Sequence, residues 1–268
     1  MRYKEKDIFR KISPHAAAII KNEVTIMFTL NHFIWLALAA LVALLFIRYD
    51  KKHGEIAALS LLCGCCIASE CIKLYSNITV TPEGATLPTE VLPFHLCSMQ
   101  ILVIYALRFS KNEGLRRHLY EFCWPTATFG AICALLIPTE GVSFFETPHT
   151  WEYFLFHGLL IGFGITIVRR FGSTFNGKSY IACLAGVGIA CWIAIYMNAL
   201  TGENFMFMMR PPMENLPYLN MNAGWLSYFL RIGALAVFIL TACYLPFILR
   251  ARKQKKAAAA KYSAACRT

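Results

Sequence analysis

The chain has 268 residues, of which 57% are hydrophobic and 15% charged, and a formal net charge of +11. Soluble proteins carry about a quarter charged residues, so this composition excludes a water-soluble domain and points to a bilayer. The positive charge would suggest nucleic acid, but the basic residues lie in loops and at the ends, where no nucleic-acid partner is expected and anionic headgroups are.

Residues 1–23 form a basic tail with six basic and three acidic residues and no sustained apolar run, so the first span is expected to direct insertion. Apolar stretches long enough to cross about 30 Å of hydrocarbon then run over Val24–Ile47, Ile56–Ile78, Val91–Phe109, Leu119–Pro138, Trp151–Val168, Tyr180–Leu200 and Leu226–Leu249. The pattern predicts one all-α transmembrane bundle of seven spans over residues 24–249. A basic tail follows at 250–268, where Arg250, Arg252, Lys253, Lys255 and Lys256 would lie on an anionic leaflet.

Charge alternates between the loops. Arg48, Lys51 and Lys52 follow span one, Arg108, Lys111, Arg116 and Arg117 follow span three, and Arg169, Arg170 and Lys178 follow span five. The loops after spans two and four carry no Lys or Arg, and the loop after span six carries only Arg210. The basic loops are expected in the cytoplasm, with the C-terminus inside and the N-terminus outside. The basic N-terminal tail opposes this orientation, and its alternative is an interfacial segment near Ile8–Ile20.

Eight of the eleven cysteines, Cys63, Cys65, Cys66, Cys71, Cys133, Cys183, Cys191 and Cys243, lie in apolar runs and behave as small hydrophobes. The cluster at 63–71 lacks the two CxxC pairs of a zinc site, so neither metal nor cofactor is expected.

Ionisable groups inside spans are costly and face a bundle interior or a wet cavity, which makes each a functional candidate. Span two holds Glu70 and Lys73, span three holds His95, Cys97, Ser98 and Gln100, span five holds His157, span six ends near Asn198, and span seven holds Arg231; Glu121 lies near the start of span four. By the helical rise, His95 and Cys97 lie about 6–9 Å below the outer surface, His157 about 9 Å and Glu70 about 12 Å. A thiol attacks as the thiolate and needs a base within reach. His95 and Cys97 are about 200° apart on a helix unless Pro93 opens it, so His157 is the better base for Cys97, and His95 is expected to pair with Ser98 on its own face or with lipid headgroups. The alternative readings are plain: Cys97 as packing, His157 as an interhelical hydrogen bond, Glu70 and Lys73 as mutual neutralisers, and Arg231 as a donor to backbone carbonyls. Gly202 to Pro212, with Asn204 and Arg210 among aromatic and Met residues, reads as a loop at the membrane surface whose Arg210 can hold a phosphate.

Leu92-Pro93-Phe94-His95-Leu96-Cys97-Ser98 resembles the L-P-x-H-x-C-S signature of YwaF-type bacterial membrane proteins, a family that includes vertebrate transmembrane protein 164. Tyr120-Glu121-Phe122 to Pro138, Phe156-His157-Gly158, and Gly202-x-Asn204-Phe205-Met206-Phe207 ending in Arg210 match further pieces in order, over roughly Leu92 to Pro212. Pro211 stands where the family commonly has Lys, and Met209 where Cys is frequent. The resemblance implies a phospholipid acyltransferase that moves a fatty acyl chain through an acyl-cysteine without acyl-CoA, with Cys97 as nucleophile and His157 assisting. Phospholipid and lysophospholipid would be its substrates, and Gln100, Asn204 or His95 are candidate oxyanion donors. Two other classes stay open: a small-ion or solute transporter using Glu70, Lys73, His157 and Arg231, and a non-catalytic membrane scaffold. The basic tail and short length fit a bacterial inner membrane; the oligomeric state is not legible.

Overall fold

A computed structural model describes residues 29–82, 84–138, 147–212, 216 and 218–265. The basic N-terminal tail, with its proposed interfacial segment, lies outside the described residues. Among the described residues seven α-helices follow one another: α1 (Leu30–His53), α2 (Glu55–Asn77), α3 (Leu96–Phe109), α4 (Glu113–Leu136), α5 (Pro148–Phe171), α6 (Gly177–Thr201) and α7 (Gly224–Ala265). Between α2 and α3 a small antiparallel hairpin pairs β1 (Thr79–Thr81) with β2 (Gly84–Thr86). Local chemistry sets several ends. Asn112 Oδ1 accepts from Leu115 N at the start of α4, Asn176 and Ser179 close a capping box on α6, and Arg169 and Arg170 sit in the last turn of α5, where the helix dipole favours cations.

Six of these helices are long and apolar enough to cross a membrane. Large apolar side chains such as Leu44, Leu102, Trp192, Leu230 and Phe238 are exposed on the perimeter, while Gln100, Glu121, His157 and Asn198 are buried. Apolar outside and polar inside is the arrangement a bilayer selects, and the chain is an integral membrane helical bundle.

α3 departs from the expectation. It has 14 residues and is therefore roughly 21 Å long, short of the hydrocarbon thickness of about 30 Å. The apolar run begins at Val91, but Pro93 forces the residue before it out of helical geometry: Leu92 has ψ 146°, Phe94 N donates to Leu92 O at 2.8 Å, and the helix starts only after His95. Irregular backbone at membrane depth is tolerated where it lines a cavity. α7 also differs, because it continues to Ala265 and takes in most of the segment expected as a separate tail. The Ala257–Ala260 run and the flanking Lys and Arg residues are strong helix formers.

α5 is the central helix: 67% of its most apolar stretch is buried, against 17% for α6 and α7. Its glycines make that position possible. A Cβ on Gly158 would lie 2.5 Å from Ala39 O and one on Gly162 would lie 2.9 Å from Ala43 O, so this G-x-x-x-G face brings α1 into backbone contact. At the basic end the helices are tied by charge. Asp50 of α1 accepts from Arg169 and, at 2.5 Å, from Arg170 of α5, and Glu55 of α2 accepts from Arg116 and, at 2.6 Å, from Tyr120 OH of α4. Buried Glu121 accepts from Ser179 at 2.7 Å, which joins α4 to α6.

Candidate functional site

At the opposite end the bundle opens into a cavity of about 440 Å³. α2 contributes Ser69, Glu70, Lys73 and Asn77, the turn before α3 contributes His95 to Ser98, and α5 contributes His149, Glu152, Tyr153, Phe156 and His157. Gly130, Cys133 and Ala134 of α4, Ile137 just past its end, and Ile232 and Leu235 of α7 form a second, apolar wall. Met206 and Phe207 close one side. Each helical set repeats at three to four residues, so each is one stripe of its helix.

Cys97 is the second residue of α3, the His95 side chain makes no capping hydrogen bond, and the Ser98 backbone N–H acts on the Cys97 sulfur. A helix N-terminus carries about half a positive charge, and the Lys73 ammonium acts on the sulfur from α2. Lys73 Nζ itself binds Glu70 Oε1 at 2.6 Å and reaches Ser98 Oγ at 3.5 Å. His157 faces the thiol from α5. Its Nδ1 lies 2.6 Å from Tyr153 O, a contact that needs the proton on Nδ1 and leaves the Nε2 lone pair free. Nε2 is buried without a hydrogen-bond partner among the described residues, and the Cys97 thiol and the His157 ring act on each other electrostatically. Cys97 stands 12 residues from the Phe109 end of α3 and His157 14 residues from the Phe171 end of α5, heights of roughly 18 and 21 Å at 1.5 Å per residue. The two groups are therefore level.

His95 does not pair with Ser98. As the residue preceding α3 it turns toward the loop after α6, where its Nδ1 accepts from Met206 N at 3.4 Å and its ring packs on Phe205 and Phe207. Met206 and Phe207 both have φ of 54°, a left-handed conformation that ordinary residues hold only where the surroundings impose it. Asn198 imposes it in part, since its Oδ1 accepts from Phe205 N at 2.6 Å and its Nδ2 donates to Phe205 O, while Tyr228 OH donates to Phe207 O at 2.5 Å.

Several other candidates lie away from the cavity lining. Gln100 is fully buried below it, donating to Thr126 Oγ1 at 2.8 Å and accepting from the Cys123 thiol. Asn204 braces its own loop, accepting from Met209 N and Arg210 N, and Arg210 is exposed. Arg231 donates to the carbonyls of Ser227, Tyr218 and Asn220, the backbone role named as its alternative. Sequence reasoning passed over Ser69, His149 and Glu152. Glu152 accepts from Ser69 Oγ, lies 3.5 Å from His149 Nδ1 and acts electrostatically on His157. A carboxylate one residue inside the apolar run of span five was its signal.

Fold and site together define a polytopic membrane protein that holds a cysteine and a histidine in a cavity within the bilayer. The pattern of the TMEM164 family matches residues 27–245, and the chain belongs to that family. Comparison with curated proteins and with solved structures gives no match.

Proposed function

We propose that the protein is a membrane-embedded phospholipid acyltransferase that carries a fatty acyl chain on Cys97. The observation that supports this most directly is that a thiol in the first turn of α3 and a buried imidazole with an unpartnered Nε2 line the same cavity and act on each other. The graded cavity, charged toward α2 and apolar toward α4 and α7, suits an amphiphile. The resemblance to a family acting without acyl-CoA points the same way.

In the first half-reaction His157 Nε2 takes the Cys97 proton, and the thiolate attacks the ester carbonyl of a donor phospholipid. The tetrahedral oxyanion is met by first-turn amides of α3, which take the place of Gln100 and Asn204 as donors. The ester C–O bond breaks, the proton passes from His157 to the departing lysophospholipid oxygen, and acyl-Cys97 remains. In the second half-reaction an acceptor hydroxyl gives its proton to Nε2 and attacks the thioester. The C–S bond breaks, the chain leaves in its new ester, and the thiolate recovers the proton. His95 shapes the cavity through its contact with the Met206 turn, Ser98 and Lys73 line the approach to Cys97, and Arg210 on the same loop holds a lipid phosphate at the surface. The site lies in the outer half of the bilayer if the basic end is cytoplasmic, and we place the protein in a bacterial cell membrane.

The test is acyl exchange between an isotope-labelled donor phospholipid and a lysophospholipid in proteoliposomes. Wild type transfers the label and Cys97→Ala does not; undiminished transfer by Cys97→Ala overturns the reading.

A further inference from the structure

We infer that the seam between α4 and α7 is a lateral opening through which one fatty acyl chain of a membrane phospholipid lies between the bilayer and Cys97. This inference deepens the acyl-transfer reading and rests on it only for the reaction, not for the binding.

The two helices meet at the basic end and separate at the other. Tyr244 of α7 stacks edge-on against Trp124 and donates to Glu121 O of α4. Ten or more residues nearer the start of α7, Phe229 and Ile232 pack instead against a cluster of Met99 of α3, Ala190 and Ala194 of α6, and Phe205 and Met208. Between the two lines of helix lie the apolar residues of the cavity wall. Cys133 marks the boundary. It lines the cavity, and it also falls on the exposed stripe Phe129, Cys133, Leu136 of α4, whose spacing of four and three residues is one helical face. The wall and the perimeter thus share a residue, as an opening requires.

Chemistry and size select the occupant. The seam presents Gly130, Ala134, Ile137, Ile232 and Leu235 with no charged group among them, so it accepts a hydrocarbon chain as the bilayer does and excludes a charged headgroup. A cavity of about 440 Å³ is smaller than a two-chain phospholipid, so the lipid must leave part of itself outside, and the apolar seam is where a chain can do so. Gly130 sits on the path. A Cβ there would lie 3.5 Å from Leu96 Cδ2, an ordinary contact, so alanine fits and a longer side chain enters the space beside Cys97.

The experiment uses the full chain in proteoliposomes made with a phospholipid carrying a diazirine in mid-chain, followed by peptide mass spectrometry. It is run on Cys97→Ala, which cannot turn over, and on Cys97→Ala with Cys133→Trp. Adducts are expected on cavity residues Leu96 and Phe156, and Cys133→Trp should lower them at least fivefold while adducts on perimeter Trp192 stay constant. Absence of cavity adducts, or adducts indifferent to Cys133→Trp, overturns the seam. In the Cys97-containing protein, Gly130→Leu should reduce transfer from long-chain donors at least tenfold more than from six-carbon donors; equal reduction counts against the seam. If wild type transfers nothing while the cavity adducts behave as expected, the seam stands and the acyltransferase reading falls.

Discussion

At the scale of single residues the site depends on three neighbours of the sulfur: the α3 N-terminus, Lys73 and His157. In the proposed reaction the imidazole is the general base, so His157→Gln, which keeps a polar side chain of similar size, should slow acyl exchange by roughly 10²–10⁴-fold and slow alkylation of Cys97 by iodoacetamide as well. Lys73→Met removes a cation from the cavity and leaves Glu70 without its 2.6 Å partner; charged hydrogen bonds contribute about 1.5–3 kcal/mol, and a tenfold or greater fall in exchange is expected with the fold intact by circular dichroism. Span order and helical rise set Cys97 and His157 at one depth, and both line the cavity. Residue types do not separate Gln100, Asn204 and Arg231 from the lining residues, because a polar side chain in an apolar run reads the same whether it faces a cavity or satisfies a backbone carbonyl. Glu152 was missed for the opposite reason: at the edge of its run it reads as a residue of the loop.

At the scale of elements the number and order of the helices follow from hydropathy, whereas the start of α3 follows from one proline within an otherwise continuous apolar run. Hydropathy sums over that break; backbone geometry does not. The effect reaches the cavity, since the helix end there exists only because the helix is short. The α1–α5 contact offers a cleaner energetic test. Gly158→Ala places a methyl carbon 2.5 Å from Ala39 O and 3.0 Å from Ala39 Cα, backbone atoms with nowhere to move, whereas Gly188 of α6 has nothing within 4 Å of the same methyl. Overpacking should destabilise Gly158→Ala by about 1–3 kcal/mol. Gly188→Ala should instead be neutral or stabilise by up to about 1 kcal/mol through helix propensity. Thermal unfolding of the detergent-solubilised protein measures both, and equal melting temperatures would contradict the close crossing.

At the scale of the whole molecule the two ends are built differently. The basic end is closed by Asp50 with Arg169 and Arg170, and by Glu55 with Arg116 and Tyr120, while the other end holds the cavity and its seam. This division gives the bundle a fixed base on which α5 presents His157 to Cys97, and it explains why the basic loops and the reactive residues lie far apart along every helix they share. The account turns on a covalent intermediate at one sulfur, and intact-protein mass spectrometry after incubation with phospholipid vesicles measures that directly. Wild type should gain the mass of one fatty acyl group, mapped to Cys97 and released by hydroxylamine as a thioester is; Cys97→Ala should gain none. An unmodified wild type that nevertheless exchanges acyl chains, or an adduct that persists in Cys97→Ala, would contradict it.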